Sequence, residues 1–219
     1  MTESEWVGCT DPERMLEFVR GQASERKLRL FAVACCRSIW HLLTDARSQK
    51  GLELAEAIAE GRVGVRSRSA KNVHNDAHIA YGNFRRKDKI NAALAASYAC
   101  WPWAERSAET AARAALERAT EASNDRIEYA GFLKCVLRTS FRPITNTPAW
   151  LTPTVSGLAQ TAYEERTLPS GELDPDRLAV LSDALEEAGC DDGDILNHLR
   201  SSGPHVRGCW VVDLLTGRS

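Results

Sequence analysis

The sequence predicts an all-α protein: a compact multi-helix bundle with an extended, proline-containing arm around residues 140–151 and a small helical subdomain at the C-terminal end. Three observations carry this expectation. Apolar residues recur at three- and four-residue spacing in segment after segment, and no segment alternates apolar and polar residues with the period of two that a half-buried strand needs. Helix start and stop residues bracket the periodic runs. The composition allows a packed core, with 219 residues, 43% of them hydrophobic and 26% charged, far from the low hydrophobicity and high net charge of disordered chains.

The opening Thr2-Glu3-Ser4-Glu5 fits a capping box, in which the Thr2 hydroxyl accepts from the Glu5 amide and Glu5 reaches back to the Thr2 amide. Asp11 then caps a second helix with Pro12 at its first position, Met15, Leu16, Phe18 and Val19 turned inward, and Gly21 as its left-handed stop. Ser24 opens the strongest helix. Its Leu28, Phe31, Cys35, Ile39 and Leu42 form one stripe, and Leu30, Val33 and Leu43 widen it enough for burial on more than one side.

An amphipathic helix over 46–60 ends at Gly61, and residues 62–69 read as an exposed basic loop. Helical pattern resumes near residue 70 and runs, with a break at Gly82, to about residue 100, where Trp101-Pro102-Trp103 stops it. An alanine-rich helix over 104–122 and another over 126–138 follow. The proline-bearing arm is the best boundary, dividing a helical domain over 1–139 with a basic middle from an acidic C-terminal subdomain over 140–219. Phe141, Ile144, Trp150 and Leu151 are too apolar for a free linker, so the arm is expected to lie on a core. Beyond it, helices are expected over 153–166, 175–188, 192–200 and 206–215.

Net charge is −2, which disfavours a general nucleic-acid binder, yet the charge is divided along the chain. Residues 62–91 hold eight Lys/Arg against two Asp, whereas residues 164–219 hold twelve Asp/Glu against five Arg. Such opposed patches serve docking, within the chain or on separate partners. No run of apolar residues is long enough to span a bilayer, and the start is too polar and acidic for a signal peptide, so a cytoplasmic protein without membrane contact is expected. The seven cysteines are odd in number and scattered, which predicts reduced thiols packed as small hydrophobes.

With the arm and the last helices in view, the segment from Leu151 to Leu215, with its His205-Val206-Arg207-Gly208-Cys209-Trp210 run, resembles an uncharacterised helical protein family abundant in planctomycete genomes, as does the opening from Met1 to Leu43. A shorter likeness joins residues 174–189, through Arg177, Leu178, Asp183, Leu185, Glu186, Glu187 and Gly189, to the small repeat-companion modules of such genomes. The resemblance implies a lineage-expanded helical protein and no mechanism.

Several side-chain sets bear on chemistry. Cys190, His198, His205 and Cys209 supply two thiols and two imidazoles, the donors of a tetrahedral structural zinc. Closure requires His198 on one helix and His205 and Cys209 one turn apart on the next. The spacing lacks the C-x2-C knuckle of many such sites, and the packing alternative makes the cysteines core residues and the histidines helix-end residues. His74 and His78 share a helix face, but Asn75 stands where a zincin motif needs glutamate, so a solvated helix surface is the favoured account. Cys35-Cys36 sits mid-helix with side chains about 100° apart, unsuited to joint chemistry. The basic residues Arg62, Arg66, Arg68, Lys71, Arg85, Arg86, Lys87 and Lys89, interleaved with Tyr81 and Phe84, suit phosphate binding and base stacking.

No nucleophile elbow, phosphate loop or dinucleotide fingerprint is present. The favoured expectation is a non-enzymatic interaction or scaffold protein with a protein partner and a zinc staple near the C-terminus. Two alternatives stay open: nucleic-acid binding through residues 62–89, and a metal-dependent enzyme using His74 and His78 or the Cys190–Cys209 set.

Overall fold

A computed structural model describes residues 1–101, 108–137 and 149–218. Among them the chain forms twelve α-helices and two short 3-10 turns, with no strand, so the protein is all-α. The helices are α1 (Glu3–Gly8), α2 (Pro12–Phe18), α3 (Glu25–Ser38), α4 (Ala46–Ala59), α5 (Arg68–Ala80), α6 (Lys87–Ala99), α7 (Ala108–Ser123), α8 (Arg126–Val136), α9 (Pro153–Glu164), α10 (Pro175–Glu187), α11 (Gly193–Arg200) and α12 (Trp210–Thr216). No helix among the described residues is long and apolar enough to cross a membrane.

The predicted caps are in place. Thr2 and Glu5 exchange backbone and side-chain hydrogen bonds of 2.7 and 3.2 Å, and the Asp11 carboxylate accepts from the amides of Glu13 and Arg14. Helix α5 starts two residues before the expected 70, because the Ser67 hydroxyl accepts from the Ala70 amide and fixes the first turn there. Of the expected arm, residues 140–148 lie outside the described residues; Ala149 and Trp150 form a turn that leads to the Thr152 cap of α9.

The chain divides into two compact units, one of Cys9–Leu133 and one that joins Met1–Gly8 to Lys134–Ser219. In the first, α3 packs against α4, α6 and α7. Every residue from Leu28 to Arg37 is buried, which is the all-round burial that its wide apolar stripe implies. Alanines carry the α6–α7 contact: Ala92, Ala95, Ala96 and Ala99 face inward on one helix and Ala108, Ala112, Ala115 and Ala119 on the other. Small side chains let the helix axes approach and replace bulk with many close contacts. Gly51 on α4 continues this logic, since a Cβ there would sit 3.0 Å from that of Ala77 and 3.3 Å from the Cys100 sulfur. A buried ion pair, Arg37 Nε to Glu56 Oε1 at 2.8 Å, ties α3 to α4.

In the second unit, α9 packs on α10 and α12, and α11 packs on α10 and α12. Leu178, Leu181, Leu185, Ile195, Leu199, Val211 and Leu215 fill the space between them. Single antiparallel bridges pair Glu172 with Thr167 on one side and with Val206 on the other, and the Leu173 amide donates to the His205 carbonyl at 2.8 Å. These bonds set the path of the segment that enters α12.

Candidate metal centre

Helix α10 ends in a Schellman motif. The Gly189 amide bonds the Glu186 carbonyl, the Cys190 amide bonds the Leu185 carbonyl, and Gly189 takes φ +91°. Cys190 thereby occupies the position just past the stop, where an apolar residue packs back on the helix, and burial pushes its thiol up. This accounts for Cys190 without a ligand role. The expected four-residue set is corrected at this position.

The place of Cys190 is taken by Cys135, near the end of α8. Cys135, His198, His205 and Cys209 offer one donor atom each, and the four atoms lie within 4.8 Å of one another. Cys135, His205 and Cys209 are buried and His198 is half-buried. This group is able to hold a metal ion. Three of its members were legible as a set in the sequence; Cys135 was hidden because it lies 63 residues before His198 and reads simply as part of the apolar stripe of Tyr129, Phe132, Leu133 and Val136.

Each donor is placed by a local rule. His198 rides on α11, whose start is fixed by Asp192 accepting from the amides of Asp194 and Ile195. Its Nε2 stands 3.2 Å from the Cys209 sulfur, and its ring meets that of His205 edge-on with centroids 4.9 Å apart. Trp210 covers the same ring at 5.2 Å. His205 precedes the Val206 bridge, so its backbone is held by Leu173 while its ring turns inward.

His205 and Cys209 were expected one turn apart on a helix. They instead bracket a β-turn, with the Cys209 amide donating to the Val206 carbonyl at 2.9 Å and α12 starting only at Trp210. Gly208 explains the difference. It takes φ +89°, as the third residue of a type II turn must, and a helix cannot pass through that conformation. The turn also aims the Val206 amide at the Cys135 sulfur, 3.3 Å away.

The His205 ring is oriented like a metal ligand's. Its Nε2 lies 3.1 Å from the Ser201 carbonyl and 3.2 Å from the Ser201 hydroxyl, which assigns the ring proton to Nε2. That leaves Nδ1 as a lone-pair donor, buried and without a hydrogen-bond partner. A carbonyl holding the far nitrogen while the near one is orphaned is the usual outer support of a ligating histidine. At Cys209, burial opposes ionisation, but the Cys135 thiol and the neighbouring His198 and His205 rings outweigh it and hold the thiol well below its ordinary range. At His205, burial favours the neutral ring, but the Cys209 sulfur and the Ser201 carbonyl outweigh it and raise the imidazole. A buried sulfur that favours the thiolate is what a cation would meet.

His74 and His78 have stacked rings 6.0 Å apart, yet each is engaged elsewhere. His74 Nδ1 lies 3.1 Å from the Ser97 carbonyl, His78 Nδ1 lies 3.4 Å from the Ser97 hydroxyl, and Trp101 packs on His74. Among the described residues they join no set of three metal-competent donors. Cys100 lies 3.8 Å from His74 but is pushed up to about 12 by burial. Cys35 and Cys36 are buried and raised for the same reason.

The basic residues stay at the surface but not in one patch. Arg62 and Arg66 lie in the loop before α5 and Arg68 begins it, whereas Arg85, Arg86, Lys87 and Lys89 follow its far end, and Lys71 is half-buried on α5. Compared with protein families, with curated proteins and with solved structures, the chain matches none.

Proposed function

We propose that the protein is a helical interaction protein whose C-terminal unit is pinned by a structural zinc ion held by Cys135, His198, His205 and Cys209. The observation that supports this reading is the convergence of two sulfurs and two imidazoles in one largely buried cluster. Zinc takes such mixed sulfur and nitrogen donors in tetrahedral array, at roughly 2.0–2.3 Å from each. Four protein donors fill that array and leave no position for a reactive water, which favours a staple over a catalyst. The bonds from Val206 to the Cys135 sulfur and from His205 to Ser201 supply the outer support that such a site needs.

The ion would join three parts of the unit: the end of α8, helix α11 and the turn before α12. With these pinned, α10 presents an outward face of Asp176, Ala179, Val180, Asp183, Glu186 and Glu187 around a Val180 that is 54% exposed; Arg200 holds Asp183 and Glu186, which leaves Asp176 and Glu187 as its uncompensated acids among the described residues. A basic protein surface is the partner this face suits.

Elemental analysis of protein purified without chelators tests the reading. One zinc per chain is expected, falling sharply in Cys135→Ser and Cys209→Ser. In the cobalt-loaded protein, a spectrum of tetrahedral type with sulfur ligation, unchanged by added cyanide, supports a closed structural site. A spectrum that shifts with cyanide indicates an open position and transfers the reading to catalysis. Protein that carries no zinc and takes up neither zinc nor cobalt on titration overturns it.

A further inference from the structure

Helix α5 packs chiefly on α4 and α6, which leaves its opposite face, with Arg68, Asn72, Asn75 and Ile79, exposed. Charge is concentrated at the two ends of this helix. Among the described residues, the side chains of Arg62, Arg66, Arg68, Arg85, Lys87 and Lys89 pair with no carboxylate. Arg86 differs, because Asp88 holds it at 2.6 Å. Six cations with no carboxylate partner among the described residues, gathered at the two ends of one helix in a protein of net charge −2, are more than solubility requires.

We propose that this edge binds the sugar-phosphate backbone of a nucleic acid. The inference is independent of the metal centre, which lies in the other compact unit. Spacing is the first argument. The 13 residues of α5 separate the two basic groups by about 20 Å, a length over which one strand of a duplex carries about six phosphates. The groups therefore reach successive phosphates along a strand and do not compete for one anion.

Between the basic groups α5 exposes one carboxylate, Asp76, among otherwise uncharged residues; the uncharged residues are the second argument. Tyr81, in the 3-10 turn after α5, is 37% exposed and braced edge-on by His78 with ring centroids 5.2 Å apart. A rigid, partly exposed ring beside a basic stripe is a stacking platform for an unpaired base. Asn72 and Asn75 add amides able to donate to phosphate or sugar oxygens. An anionic membrane would also attract the cations, but only Ile79 stands out as an exposed large apolar side chain on this helix, too little for insertion into lipid.

The test is fluorescence anisotropy of the full chain with labelled 20-nucleotide single-stranded and duplex probes across a salt series. Binding at low salt is expected, with a log–log slope near −4 on the single strand if all six cations engage, from about −0.7 per phosphate. The triple variants Arg62→Gln/Arg66→Gln/Arg68→Gln and Arg85→Gln/Lys87→Gln/Lys89→Gln should each halve that slope and weaken binding at least tenfold, with unchanged circular dichroism. Tyr81→Ala should weaken the single-strand complex by about fivefold and leave the duplex complex nearly unaltered. No binding at low salt overturns the proposal, as does binding that both triple variants retain. Phosphatidylserine vesicles that capture the protein in the presence of excess oligonucleotide would also overturn it and assign the edge to lipid.

Discussion

His198 Nε2 lies 3.2 Å from the Cys209 sulfur although the two residues belong to different elements, one in the last turn of α11 and the other at the cap of α12. That contact, with Cys135 and His205 closing around it, makes the C-terminal unit testable residue by residue.

Cys135 and Cys190 should separate cleanly. Both are buried cysteines in the same unit, so loss of packing alone would affect them alike. Serine at Cys135 should abolish zinc binding measured by elemental analysis, whereas serine at Cys190 should leave it intact and cost only the burial of a hydroxyl in a helix-stop contact, about 1–2 kcal/mol in urea unfolding. Equal metal content in the two variants would contradict the assignment of donors.

Gly208→Ala tests the turn. A Cβ at φ +89° meets the following carbonyl, and that conformation costs an alanine about 1–2 kcal/mol. Chemical denaturation should show that loss. Because the turn carries both Cys209 and the Val206 amide that supports Cys135, weaker zinc retention against a chelator should accompany it.

The Arg37–Glu56 pair should behave as a buried couple. Glu56→Ala alone takes the carboxylate from a guanidinium that is 6% exposed and should cost about 3–5 kcal/mol. Arg37→Met with Glu56→Leu removes both charges and should recover most of that loss. If the single variant were as stable as the unaltered chain, the pair would have no structural weight.

Acid should weaken the first unit through His74. Burial, only partly offset by the Ser97 carbonyl, lowers its imidazole below the ordinary 6.5, with His78 adding to the effect. The folded state then holds fewer protons than the unfolded state between the two values, so this contribution is complete above about 6.5 and is lost as pH falls below it. Urea midpoints of His74→Gln should fall less steeply than those of the unaltered chain between pH 7 and 5.5, and parallel profiles would exclude this origin.

Much of the architecture was readable because local rules decide it. The Thr2–Glu5 box, the Asp11 and Ser24 caps, and the stripe of α3 depend on residues within a few positions of one another. The cysteine and histidine cluster was readable in part for the same reason, as His198, His205 and Cys209 share one short segment. What escaped was set by distance in sequence or by backbone geometry. Cys135 is paired with that segment only through folding, and Cys190 looked like its natural fourth member until the Schellman stop claimed it. The periodicity of Val206, Val211, Val212 and Leu215 suggested a helix from residue 206, and only the left-handed Gly208 breaks it. The basic run was visible as composition; that α5 divides it into two ends is a property of the fold.

The four donors are spread unevenly, three within twelve residues and the fourth 63 residues upstream. That arrangement implies an order of assembly. If the cluster takes the proposed zinc, the segment from His198 to Cys209 would gather a loosely held ion while the rest of the chain is still open, because closing so short a loop removes little freedom. Capture of Cys135 closes a far longer one, at a chain-entropy cost of about 4 kcal/mol that an ion already in hand helps to meet. The last ligand to arrive would thus be the one that commits the chain to its folded form, and zinc added during refolding should speed the final step more than the first.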